Sequence, residues 1–215
     1  MKATMMRLNF LELVKKDLKV EARSKSSINQ MLLFALTTAF LFSLSIDSEK
    51  FFAQILIIVV LLSSILSCSA TVVREFEQET IEGLKNFMDA REIMAGKIFS
   101  NLLIVFLLVI IVTPICYALF NLSGNFLLLF TSLLVASLPI SITITLISPL
   151  SAFARGREML LPAMLFPIIF PIIVPSIKLL SSSHAGIFEL QSAIFLIAYA
   201  GLMASLSLIL SEHLF

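Results

Sequence analysis

Residues 102–112 read LLIVFLLVIIV, a run without a single polar side chain and without alternation. A strand of a membrane barrel would need about 9–11 residues with apolar and polar side chains in turn. This run instead has the character of a helix crossing hydrocarbon. Working outward, the uncharged stretch reaches from 98 to 120, and five others match it: 28–46, 51–73, 126–154, 159–177 and 190–211. The shortest, such as 28–46, rise at 1.5 Å per residue to roughly 28 Å, against a hydrocarbon core of about 30 Å. The pattern predicts an all-α integral membrane protein with six transmembrane helices. The window 126–154 is longer than a crossing needs and holds Pro139 and Pro149, so its end is expected to emerge before Ala152 or to bend.

The rest of the composition agrees. Of 215 residues, 59% are hydrophobic and 13% charged, against about 45–50% and 25% in soluble domains. A net charge of +1 gives no drive toward nucleic acid, and no basic stretch interleaves with aromatics. The charges sit in patches between the spans. Seven Lys and Arg precede the first span, four fall within 74–97 (Arg74, Lys85, Arg91, Lys97), and Arg155 and Arg157 lie between the fourth and fifth spans. The alternate connections hold only Lys50 and Lys178. Because loops rich in Lys and Arg stay in the cytoplasm, both termini are expected there. The first apolar run follows a long charged stretch with no small-residue cleavage site after it, so the first helix is expected to stay.

Two parts outside the spans carry structure of their own. Within 1–27, Met6, Phe10, Leu13, Val14 and Leu18 form a stripe at helical spacing, with Lys15, Lys19 and Arg23 off it. This predicts an amphipathic helix in the cytoplasmic headgroup layer, in contact with membrane lipid, leading into the domain 28–215. The connection 74–97 has six acids and four bases and is far longer than a turn requires. Ile81, Leu84, Phe87 and Met88 recur in it at helical spacing, and Asp89 with Glu92 has the form of a helix cap that opens a new helix into the third span. An apolar stripe outside the bilayer, at about 1.5–3 kcal/mol per buried side chain, supports a docking contact with another protein.

Several chemistries are missing. No GxxxxGK[ST] occurs, so nucleotide hydrolysis, and with it any use of ATP, is expected only in a partner. The six windows contain no acid or histidine for proton coupling, and no serine–histidine, paired aspartate or HExxH set for intramembrane proteolysis. The chain is therefore not expected to be an enzyme. Cys68 and Cys116 lie in apolar runs and read as packing residues, with no metal site. His184, in SSSHAG within the outer connection 178–189, reads as a solvated loop residue, and His213 as a helix-terminal cation.

The fifth span is unusual. Arg157 and Glu158 lead into Pro162, followed by Pro167, Pro171 and Pro175 at intervals of four, which share one helix face. Each of the last three withdraws a donor, leaving the carbonyls of Ala163, Pro167 and Pro171 without helical partners. Such groups are expected to face neighbouring helices or a wet cavity, which makes this helix a candidate hinge or pathway wall.

Two stretches resemble cytochrome c maturation protein B (CcmB, haem exporter protein B), a family of permease-type subunits of ATP-binding cassette transporters. One is Thr80-Ile-Glu-Gly-Leu-Lys85 with Gly96-Lys97; the other is Arg157-Glu-Met-Leu-Leu-Pro162 and the prolines beyond. Length and span number agree, so the resemblance covers essentially the whole chain. It implies a subunit of a prokaryotic inner membrane that works with a separate ATPase (CcmA-like), a haem-handling membrane subunit (CcmC-like) and a haem chaperone. The ATPase would grip Glu79, Thr80, Ile81, Glu82, Gly83 and Leu84, with Phe87 and Met88 alongside. Haem is a possible cargo, and no cofactor is expected to be bound directly. A permease for a lipid, drug or glycan, or a non-transporting scaffold, would share the architecture.

Overall fold

The computed structural model describes residues 12–21, 26–45, 48–77, 88–152 and 157–214. All of these except short turns are helical. Helix α1 covers 12–21; α2 is Ser26–Ser45, α3 Ser48–Glu77, α4 Ala90–Leu119, α5 Phe126–Ala152, α6 Arg157–His184 and α7 Leu190–Leu214. Helices α2 to α7 are each long and apolar enough to cross a membrane, so this is a multi-pass membrane protein. No strand occurs among the described residues.

Helix α5 is the axis of the bundle. It packs on α3, α4, α6 and α7, while α2 lies outside against α3 and α4. Its sequence suits that place because its polar groups are hydroxyls rather than charges. Ser132, Ser137, Ser141, Thr143, Thr145 and Ser148 are all buried. Several turn back onto their own helix, Thr145 Oγ1 donating to the Ser141 carbonyl at 2.8 Å and Ser148 Oγ to that of Ile144 at 2.7 Å. Others join helices. Asn101 Nδ2 of α4 donates to Thr145 Oγ1 at 3.0 Å, and the Ser132 and Ser183 hydroxyls meet at 2.5 Å between α5 and α6. Small side chains let backbones approach, and packing replaces the hydrophobic drive that lipid does not supply.

The apolar span of the fourth crossing runs from Phe126 to Leu150 and so stops before Ala152, as the sequence placed it. Helix α5 continues through Pro139 and Pro149 to Ala152. Both prolines are buried, and neighbours on four sides hold the backbone helical where a solvated helix would stop. The third span begins where Asp89 and Glu92 place it, but the capping differs. Asp89 has the extended conformation of a cap (φ −69°, ψ 149°) without a side-chain cap bond. Its carbonyl accepts from the Glu92 and Ile93 amides at 2.9 and 3.1 Å.

At the opposite end of the bundle, Asn125 caps α5 through its side chain, Oδ1 accepting from the Leu127 and Leu128 amides at 3.1 and 3.2 Å. Tyr117 Oη donates to the Gly124 carbonyl at 2.5 Å, closing the α4–α5 turn. His184 is not the solvated loop residue expected: α6 extends to include it. Its ring packs on Phe52 with centroids 4.8 Å apart, and its Nδ1 is buried without a hydrogen bond. The connection read as 178–189 thus shrinks to a few residues, and Lys178 belongs to the helix.

Candidate functional site

The charged connection expected to hold a partner is framed by two long helices. Helix α3 runs on to Glu77, so its last residues carry the second span into the connection, and α4 leaves it at Ala90 and continues unbroken to Leu119. Glu79, Thr80, Ile81, Glu82, Gly83, Leu84 and Phe87 lie outside the described residues. Met88 is half-buried at the bend before Asp89.

Just beyond that bend stands a cluster that the sequence reading missed. Lys97, two turns into α4, is 3% exposed, and Asp17 of α1 is 4% exposed. Lys97 Nζ lies 2.9 Å from Asp17 Oδ2, a fully buried ion pair between residues 80 apart in the chain. Ser100 Oγ reaches the same carboxylate oxygen at 3.4 Å, and Lys16 Nζ stands 3.6 Å from Oδ1. Glu21 is also buried.

Around the ions the contact is apolar and close. Leu13 and Val14 are buried, and Gly96 makes room for Leu13: a Cβ there would stand 2.5 Å from Leu13 Cδ2 and 3.3 Å from Cγ. The apolar stripe of α1 therefore lands on protein, at the base of α4, rather than on lipid alone. Lys15 and Lys19 remain exposed on the other face, as their place off the stripe required. The missed signal was present in the spacing. Asp17 and Glu21 follow Leu13 at i+4 and i+8, on the apolar face rather than the polar one.

A second ion pair ties the same end of the bundle. Arg91 Nη2 of α4 lies 2.7 Å from Glu212 Oε1 of α7, both side chains exposed. The N-terminal helix, the start of α4 and the end of α7 therefore lie at one end of the bundle.

The proline helix turns its proline edge away from the rest of the chain. Arg157, Glu158 and Pro162 fall in its first turns. Ala163, Pro167 and Pro171 are exposed, Pro175 is half-buried, and the buried face carries Leu165, Ile169, Ile172 and Ser176. The edge with the unpaired carbonyls thus faces outward from this chain. The reason is steric: at intervals of four the prolines share a face, and the branched and aliphatic side chains opposite fill the core better. A groove of about 380 Å³ does run beside α6. Its walls are Ile57, Leu61 and Ile65 of α3 against Leu165, Ile169 and Ile173 of α6, with Gln54 its one polar lining residue.

No cluster of three or more metal-ligating side chains occurs among the described residues. Cys116 is buried in the core of α4. In comparison with known proteins, no curated protein matches the chain. The family model of the CcmB protein matches residues 8–212, nearly the whole chain, and the chain belongs to that family.

Proposed function

We propose, with membership of the CcmB family as the premise, that this chain is the membrane permease subunit of an ATP-binding cassette transporter for haem export or haem-chaperone release in cytochrome c biogenesis. A separate CcmA-like ATPase supplies the energy, and a CcmC-like subunit handles the haem. The observation that carries the reading is the match over residues 8–212. The chain itself has no phosphate-binding loop, so the energy must enter through a contact. The segment Glu79 to Met88 is that contact, with both termini in the cytoplasm of a prokaryotic cell. The architecture supports it: of the helices that flank the segment, α4 is 30 residues long and α3 runs back from Glu77 to a kink at Phe51, and both pass from the segment through the bundle. A push on the segment therefore reaches the interior through continuous helix.

The reading predicts that an ATPase co-purifies from gently solubilised membranes. Leu84→Asp and Phe87→Asp should abolish that co-purification, while Ser123→Asp at the far turn leaves it intact. Equal retention in all three would refute the docking site. Cells lacking the gene should fail to make covalently attached c-type haem. Normal cytochrome c in such cells would assign the permease to another cargo.

A further inference from the structure

The Asp17–Lys97 pair is out of place as a stabilising device. Moving each ion out of water costs several kcal/mol, and a well-packed apolar pair of the same volume is often as stable or more stable. Leu13 against Gly96 already supplies an apolar contact between α1 and α4, with Val14 buried beside it and Leu18 packed on the core. Such a contact, however, is non-directional: a short helix held only by aliphatic side chains can rotate or slip along its partner. An ion pair at 2.9 Å with both members buried admits one register. Buried charge used to fix register at a cost in stability is the best-attested role of such pairs.

The placement gives that register a purpose. Lys97 lies seven residues after the start of α4 at Ala90, close to where the Glu79–Met88 segment delivers the chain. Asp17 lies on a helix that ends at 21, with α2 beginning at Ser26. Helix α4 itself packs on α2, α5 and α7. The pair therefore joins the element that receives the segment to the element that leads into the first span.

We propose that Asp17 and Lys97 are positioning residues that clamp α1 to the base of α4, so that a displacement entering at the 78–88 segment moves the third span and the foot of the first span as one body. The proposal rests on the coupling role given to that segment above. Without the clamp the protein still folds and still binds its ATPase, but α1 no longer follows α4, and hydrolysis runs without driving transport.

The experiment uses Asp17→Leu/Lys97→Met, which replaces the pair by apolar side chains, alongside the charge exchange Asp17→Lys/Lys97→Asp. If the double apolar variant does not accumulate in membranes, Asp17→Asn/Lys97→Gln takes its place. Spin labels on cysteines placed at the exposed positions Lys15 and Asp89, in a background lacking Cys68 and Cys116, report the α1–α4 distance in the full chain. A single distance is expected in the parent and several in the apolar variant. A single unchanged distance in that variant overturns the clamp, whether or not an ATPase is found. In the complex, ATPase co-purification is expected to persist while c-type cytochrome output falls at least tenfold, with part of it restored by the charge exchange. Full output from the apolar variant also overturns the clamp. Loss of co-purification in the parent chain would instead refute the ATPase reading, leaving the spin-label result to decide the clamp.

Discussion

The two ends of this helical bundle are tied by different chemistry. Where α1 meets α4, the ties are ionic, one buried between Asp17 and Lys97 and one exposed between Arg91 and Glu212. At the far end the ionic contact among the described residues, Lys178 Nζ to Glu189 Oε1 at 3.9 Å, is loose and largely exposed, and the other ties are uncharged: Tyr117 on the Gly124 carbonyl, Asn125 on two amides, Ser132 against Ser183, and the His184 ring against Phe52. An uncharged knot is satisfied by short-range contact and needs no counter-ion, so it holds the turns rigid at little desolvation cost. A buried ion pair holds one register firmly and fails badly when either member is lost.

The largest effect that would sharpen this contrast is Lys97→Met alone, which leaves the buried Asp17 carboxylate only Lys16 Nζ at 3.6 Å and the Ser100 hydroxyl at 3.4 Å. Loss of one partner of a buried pair costs about 3–5 kcal/mol, so thermal unfolding in detergent should shift steeply downward. Asp17→Leu/Lys97→Met should recover most of that loss. A single variant as stable as the parent would mean that water reaches the pair and that the two ends do not differ.

A smaller loss is expected at the far end from Gly124→Ala. A Cβ at Gly124 would stand 2.6 Å from the His184 carbonyl oxygen and closer still to its ring. Backbone cannot give as a flexible side chain can, so the expected cost is about 1–3 kcal/mol. The same unfolding measurement reads it, together with the loss of any Phe52–His184 ring-current signature in NMR spectra. A neutral result would show that the α4–α5 turn is free to move and would weaken the rigid half of the comparison.

The smallest effect belongs to Arg91→Ala. Both partners of that pair are more than half exposed, and exposed pairs contribute about 0–1 kcal/mol. The change should be barely measurable and should vanish in high salt. A loss approaching that of Lys97→Met would mean that burial does not distinguish the two ionic ties.

Much of this was legible in the sequence because a bilayer leaves few options. Uncharged windows such as 98–120 and 190–211 require helices, and the observed spans fall on them. The start of α4 after Asp89 was legible as well, although the expected side-chain cap is absent. What misled was local polarity taken by itself. His184 stands among serines and glycine and reads as loop, yet α6 carries it inward onto Phe52, a residue some 130 positions away in the chain. The proline stripe of α6 was legible as a shared face, but which way that face turns depends on neighbours that no spacing within the helix reveals.

By itself, then, the sequence determined the class, the number of crossings and the approximate place of each one, the fifth excepted at its C-terminal end, since hydrocarbon selects on runs of apolar residues within a single helix. Tertiary structure alone decided that Lys97 would find Asp17, that α5 would be the axis and that the prolines of α6 would face outward. Those outcomes depend on which helices become neighbours. Where lipid is as apolar as the core, shape and buried polar contacts make that choice, and hydrophobicity does not.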